Sequence, residues 1–232
     1  MTSSAGTPTR SVLLVHGAWH GSWCWEPLLP HLAAAGLDVA TVDLPSAGEH
    51  GTLADDVAVV RAALDTRPGP TVLLGHSYGG VVISEAAAGR SDVSHLVYLC
   101  AFMLDAGESL FQAVGGQAPP WFVVDEADGT ITVDPAVGVQ VAYADVDPAL
   151  AAAWLGRLRP QSIAAFMAPQ SAAAWHAVPS TYVACTQDQA IPYPAQQAMS
   201  ARAGTVHTLE SSHSPFASMP AEVAAILAKV AG

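Results

Sequence analysis

The sequence predicts an α/β protein, with a mostly parallel sheet flanked by helices and one inserted cap. Three observations predict it. Short β-branched runs alternate with amphipathic stretches almost to the end of the chain, the pattern of strands crossing over through helices. That rhythm breaks once, from Leu104 to Val178. The length, 232 residues, suits one such domain with a small insertion and allows a substantial core.

The elements follow in order. Ser11 to Val15 reads as a buried strand and Asp38 to Val42 as the next. Between them Trp25, Leu28, Leu29 and Leu32 have helical spacing, which predicts a helix over 25–36 ended by Gly36. Thr52 has the form of an N-cap with Asp55 as its reciprocal partner, and Leu53, Val57, Val60 and Leu64 follow on one helical face. A third strand, Thr71 to Leu74, runs into Gly75, and a helix is expected from Gly80 to Ala88. His95 to Cys100, Thr181 to Cys185 and Thr205 to Leu209 supply three more strands, and Val223, Ile226, Leu227 and Val230 stripe a last helix. The core is thus expected in 1–103 and 179–232. Residues 104–178 form the cap, where Trp121, Phe122, Trp154, Phe166, Met167 and Trp175 are concentrated and Thr130 to Val133 could make a small strand. A structureless loop of that length is improbable in a compact domain.

Eight basic and 20 acidic side chains give a net charge of −12. Such a surface repels phosphate backbones, which argues against nucleic acid as a partner. The three cysteines, Cys24, Cys100 and Cys185, are too few and too dispersed for a disulfide framework or a metal site. The polar stretch Met1 to Arg10 and the short apolar run after it predict neither a signal peptide nor a membrane span. A soluble, cytoplasmic protein without membrane contact is expected, with monomer and homodimer both open.

The chemistry is carried by Gly75-His76-Ser77-Tyr78-Gly79. A serine in a tight turn between strand and helix needs tiny residues two positions either side, hence Gly75 and Gly79. The turn exposes its Oγ above the carboxyl end of the sheet, and the following helix aims free N–H groups at a developing oxyanion. Ser77 is therefore the candidate nucleophile. It needs a base, and the base needs an orienting acid. Of nine histidines, His213 lies just after the last strand in Ser211-Ser212-His213-Ser214-Pro215, where a loop can swing an imidazole over the elbow. His207 should point from its strand into a packed face, His31 and His176 fall on helical or cap segments, and His76 points the wrong way. For the acid, Asp188 directly follows the fifth strand and is preferred. Asp105, just past the fourth, is the runner-up, and Asp43 suits a turn or helix contact. The loop His16-Gly17-Ala18-Trp19-His20-Gly21 lets backbone approach a substrate oxygen closely, so the N–H groups of Ala18 and Tyr78 are the candidate oxyanion hole.

These segments, with Asp43-Leu44-Pro45 and Thr186-Gln187-Asp188-Gln189-Ala190-Ile191-Pro192, resemble the small α/β-hydrolases that include plant methylesterases, hydroxynitrile lyases and bacterial esterases of similar size. The resemblance covers nearly the whole chain outside the cap. It implies the α/β-hydrolase fold, a cofactor-free triad with no metal, and a lidded apolar pocket. The chain order Ser…Asp…His used by α/β-hydrolases favours Asp188 over Asp105, and the family pattern places the acid there too. Two departures bear on the reaction. The lyases carry a threonine after the loop histidine and a lysine after the catalytic one, where this chain has Gly17 and Ser214. A leaving cyanide would meet no cation, which favours ester hydrolysis. The expected reaction is hydrolysis of small-molecule esters with an apolar or aromatic part, with Trp19, Trp121 and Phe122 as pocket candidates. The alternatives are a lyase or cofactor-free oxygenase on the same scaffold, or a non-catalytic small-molecule receptor.

Overall fold

The computed structural model describes residues 10–48 and 50–232; the polar stretch that opens the chain lies, but for Arg10, outside the described residues. The elements are β1 (Ser11–Val15), α1 (Leu29–Ala34), β2 (Asp38–Val42), α2 (Leu53–Asp65), β3 (Thr71–His76), α3 (Gly79–Ala86) and β4 (Val93–Leu99). After them come α4 (Leu110–Ala113), β5 (Phe122–Asp125), β6 (Thr130–Val133), α5 (Gly138–Ala142), α6 (Pro148–Leu155), β7 (Gln161–Ser162) and α7 (Ile163–Met167). The chain closes with β8 (Ser180–Cys185), α8 (Tyr193–Ser200), β9 (Thr205–Leu209), α9 (Pro215–Ser218) and α10 (Pro220–Ala231).

Six strands form one sheet in the order β2-β1-β3-β4-β8-β9, and every neighbouring pair is parallel. The central strands are buried on both faces, so successive side chains enter two different cores. Leu13, Val15 and Leu73 pack with α2 and α3 residues such as Val57, Val60 and Val82. Val12, Leu14 and Leu74 pack with Leu28, Leu32, Phe216 and Leu227 on the other side. Between β4 and β8, which are direct neighbours, the chain leaves the sheet and builds a small antiparallel sheet, β5-β6-β7, with short helices around it.

Two expectations are corrected. The helix predicted over 25–36 is a 3-10 turn at Ser22–Trp25 followed by the short α1. Pro27 and Pro30 lack the N–H groups that a continuous helix needs, and Pro30 is tolerated only in the first turn of α1. The apolar spacing still marked the core, since Trp25, Leu28 and Leu32 are all fully buried. His207 does not enter a packed face: β9 is the sheet edge, and all of its residues except Leu209 are at least partly exposed.

Thr52 does cap α2. Its Oγ1 accepts from Asp55 N–H (3.3 Å), while Asp55 Oδ2 accepts from Thr52 N–H (2.8 Å).

Candidate active site

A parallel sheet collects the loops that follow its strands at one edge, and here those loops converge. β3 delivers Ser77, β1 the loop 16–21, β4 the segment 100–104, β8 Asp188, and β9 His213.

Ser77 has φ +52°, in the left-handed region that a side-chain-bearing residue enters only under local constraint. The constraint is visible. Ser77 N–H donates to Leu99 O (3.3 Å), and its carbonyl accepts from Phe102 N–H and Gly80 N–H, both at 3.1 Å. The turn closes so tightly that a Cβ on Gly75 would stand 2.5 Å from Gly79 O, and one on Gly79 2.6 Å from Val15 O. Trp19 (φ +64°) and Cys100 (φ +36°) are strained in the same way in the neighbouring loops.

His213 is buried, and its Nδ1–H donates to Asp188 Oδ2 at 2.7 Å. That fixes the tautomer with the Nε2 lone pair free. Asp188 is itself saturated. Oδ1 accepts from Ala190 N–H (2.8 Å) and Ile191 N–H (2.9 Å), and Oδ2 also accepts from Gln196 Nε2 (2.8 Å). Gln196, fully buried on α8, is anchored in turn to Cys185 N–H (2.9 Å) and Ile191 O (2.6 Å). The backbone carbonyl of His213 accepts from His76 Nε2–H (2.8 Å) and Cys100 Sγ–H (3.4 Å). His213 donates no hydrogen bond to Ser77 and accepts none from it. The two are joined through His76, whose ring lies 4.6 Å from that of His213.

Burial holds the imidazoles of His16, His20 and His76 neutral. Desolvation lowers His16 to about 4 and His20 to about 3, and pushes His76 well below its ordinary value. Neutral rings need assigned tautomers, and their partners assign them. His16 Nδ1–H donates to Gly17 O while Nε2 accepts from Leu44 N–H. His20 Nδ1–H donates to Ala18 O, and its Nε2 accepts from Tyr143 O–H of the inserted segment. The loop 16–21 is thereby pinned from both sides. Trp19 N–H is occupied by Gln161 Oε1 (3.2 Å), whereas among the described residues no group accepts from Ala18 N–H or Tyr78 N–H.

Trp19 also carries an aromatic cluster. Its indole N–H donates to Ile131 O (2.8 Å), and Trp121, Phe122 and Phe166 stand edge-on to it at centroid distances of 5.6, 5.4 and 5.8 Å. Trp121 borders a groove of about 900 Å³ between the inserted segment and α8. Phe102, Leu104, Val114, Ile191 and Met199 supply much of its apolar wall. Neither Ser77 nor His213 lines the groove. It meets the site through Phe102, which holds the Ser77 carbonyl, and through Ile191, which holds Asp188. Phe122 and Trp19 lie behind Trp121 and do not line it.

The alternative acid Asp105 is elsewhere. It is half-exposed and accepts from His176 Nε2 (3.1 Å), which lowers its carboxyl. Asp43 accepts from the Ser22 N–H and hydroxyl, at the turn after β2. Among the described residues, His76, Cys100 and His213 form the one grouping compact enough for a metal ion. Burial pushes the Cys100 thiol well up, away from the thiolate that a metal ion needs, so this set suits hydrogen bonding better than ligation. No helix among the described residues is long and apolar enough to cross a membrane.

Gln196 and Gln161 escape sequence reasoning because a glutamine on a short helix, or in a two-residue strand, has no motif. Their role is set by what the fold brings to them.

Residues 12–226 match the model of the Alpha/beta hydrolase family. Methylesterase 7 of Arabidopsis thaliana is 26% identical, with 96% of each chain covered. Alpha/beta hydrolase nvfD of Aspergillus novofumigatus is 28% identical over 96% of each. The solved structure of a methylesterase protein, MES16, from Arabidopsis superposes with a TM-score of 0.78 at 25% identity, covering 94% of this chain and 98% of that one.

Proposed function

The chain belongs to the alpha/beta hydrolase family, and from that premise we propose that it is a serine carboxylic-ester hydrolase. The observation that carries this reading is the buried His213–Asp188 pair, with Nδ1 bound to the carboxylate and Nε2 free, tied by its backbone carbonyl to His76 in the turn that holds Ser77 at φ +52°. Several relatives and solved neighbours bear the names esterase or methylesterase, which supports ester hydrolysis as the reaction.

In the proposed cycle Nε2 of His213 takes the Ser77 hydroxyl proton as Oγ attacks the ester carbonyl carbon. The carbonyl π electrons move to oxygen, and the oxyanion is held by the N–H groups of Ala18 and Tyr78. Each such donor contributes about 3 kcal/mol to the transition state. Asp188 keeps the imidazole in its working tautomer and stabilises the imidazolium. As the tetrahedral intermediate collapses, the C–O bond breaks and the alcohol leaves with the His213 proton. His213 then deprotonates water, which attacks the acyl-Ser77 carbonyl, and the acid departs as Oγ regains its proton. In this reading the inserted segment is the cap over the site. Trp121, with Trp19 and Phe122 behind it, walls an apolar pocket, and the groove beyond takes the longer arm of an uncharged substrate. The Arg202 guanidinium at the groove is already committed to Glu108 (3.0 Å) and Met103 O (2.7 Å), which argues against a carboxylate-bearing arm.

A panel of p-nitrophenyl esters of increasing acyl length, with mandelonitrile alongside, tests the proposal. Ester turnover with a chain-length optimum is expected, lost in Ser77→Ala. Cleavage of mandelonitrile faster than any ester would overturn it.

A further inference from the structure

A buried polar chain runs beneath the site and uses none of the proposed triad. Tyr78 O–H donates to Asp56 Oδ2 at 2.6 Å. Asp56 Oδ1 accepts from Ser46 N–H at 2.9 Å. Ser46 Oγ accepts from Gln161 Nε2 at 2.8 Å, and Gln161 Oε1 accepts from Trp19 N–H at 3.2 Å. Tyr78, Asp56, Ser46 and Gln161 are all fully buried. They come from four separate pieces of chain: the elbow, α2, the loop after β2, and β7 of the inserted segment.

The ends of this chain are informative. One end is Tyr78 and the other is Trp19, the residue next to Ala18. Those are the two places from which the oxyanion donors of the proposed mechanism come. An oxyanion hole works only when its donors are held at a fixed separation before the charge develops. The two donors lie on different strand-end loops and Trp19 sits in a strained conformation, so side-chain contacts that join the loops add to the backbone in holding that separation. A buried carboxylate on a helix face is also costly unless partners occupy it, yet Asp56 is kept in this protein with two donors converging on it.

We infer that Asp56 and Gln161 are positioning residues that set the spacing between the Ala18 and Tyr78 N–H groups through the continuous path Tyr78–Asp56–Ser46–Gln161–Trp19. The inference rests on the proposed ester-hydrolase reading. It adds that the inserted segment completes the oxyanion hole, since β7 supplies the last link. The remaining contacts of the same region agree. Arg159, just before β7, donates its N–H to Trp19 O (2.8 Å) and its Nη2–H to His20 O (3.0 Å), so the loop is gripped at three successive points.

The test uses the full chain and p-nitrophenyl butyrate, with Tyr78→Phe, Asp56→Asn, Gln161→Leu and the double variant Tyr78→Phe/Gln161→Leu. Tyr78→Phe removes one hydroxyl and keeps the backbone N–H, so it decides the matter even where Gln161→Leu fails to fold. Each single variant is expected to lose about ten- to hundredfold in kcat, the scale of a sub-ångström to ångström misplacement, with KM changed less than threefold. Affinity for an alkyl trifluoromethyl ketone, which forms an oxyanion on the serine, should fall by the same factor as kcat/KM. The double variant should lose less than the product of the single losses, because both cuts sever one path. Equal weakening of KM and kcat, strictly multiplicative losses, or wild-type kcat in Tyr78→Phe would overturn the inference. Absence of ester turnover by the unmodified protein would instead overturn the reading it rests on.

Discussion

At the scale of single residues, the site is defined by which hydrogen-bonding capacity is used and which is left free. His213 donates its Nδ1–H to Asp188, and His76 and Cys100 hold its carbonyl, so the ring has one free lone pair, on Nε2. Gln196 uses both amide hydrogens and its carbonyl oxygen: it donates to Asp188 and Ile191 O and accepts from Cys185 N–H. Replacing it by leucine removes a donor to the carboxylate and strands the buried Cys185 N–H. We expect Gln196→Leu to lower stability by about 1–3 kcal/mol and kcat by about tenfold, with KM nearly unchanged, as urea unfolding and steady-state kinetics would show. Ser77, Asp188 and His213 could be singled out in the sequence because motif and chain position restrict them. Gln196 could not, since an amide side chain acquires meaning only when α8 folds back against the end of β8.

At the scale of elements, strands and their end-loops were the most legible part. The runs beginning at Ser11, Asp38 and Thr205 have the same bounds in sequence and structure, although only the first is buried throughout and the other two are the edge strands of the sheet. The stretch 25–36 was less legible, since its spacing reported burial correctly while two prolines broke the helix. His207 shows a related failure: sequence could not tell that β9 is the edge strand. The groove between the inserted segment and α8 was invisible for the same reason, being made of residues distant in sequence. Its floor on α8 includes Ala195 and Ala198. Ala198→Trp should fill that space, shift the acyl-length optimum to shorter chains, and leave the rate on an acetyl ester within about twofold, as expected of an exposed substitution away from the chemistry. Unchanged preference across the panel would separate the groove from substrate binding.

At the scale of the whole molecule, the buried histidines tie stability to pH. His16, His20 and His76 have folded-state values below the ordinary 6.5, so the unfolded chain binds more protons than the folded one as pH falls. Their contribution is complete above about 6.5 and is lost progressively below it, down to about 4 for His16 and about 3 for His20. By pH 5 His16 and His20 have each cost roughly 2 kcal/mol, a substantial part of the 5–15 kcal/mol typical of a domain. Urea midpoints should therefore fall steeply from pH 7 to pH 5, and His20→Gln should flatten that slope. A flat midpoint over this range would contradict the neutral, buried assignment. The fold class was readable from the alternation of strands and helices. The linkage of the inserted segment to both sides of the site was not, because Tyr143, Arg159 and Gln161 reach it across more than a hundred residues of chain.

The most direct measurement of the central claim is peptide mass spectrometry after reaction with an alkyl fluorophosphonate, run in parallel with ester turnover. A serine activated as described should take up one phosphonyl group, on the peptide carrying Ser77, with activity lost in step with labelling. His213→Ala should slow that labelling by more than about a hundredfold, the scale of losing a general base. Labelling elsewhere with activity retained, or full ester turnover by Ser77→Ala, would contradict the account.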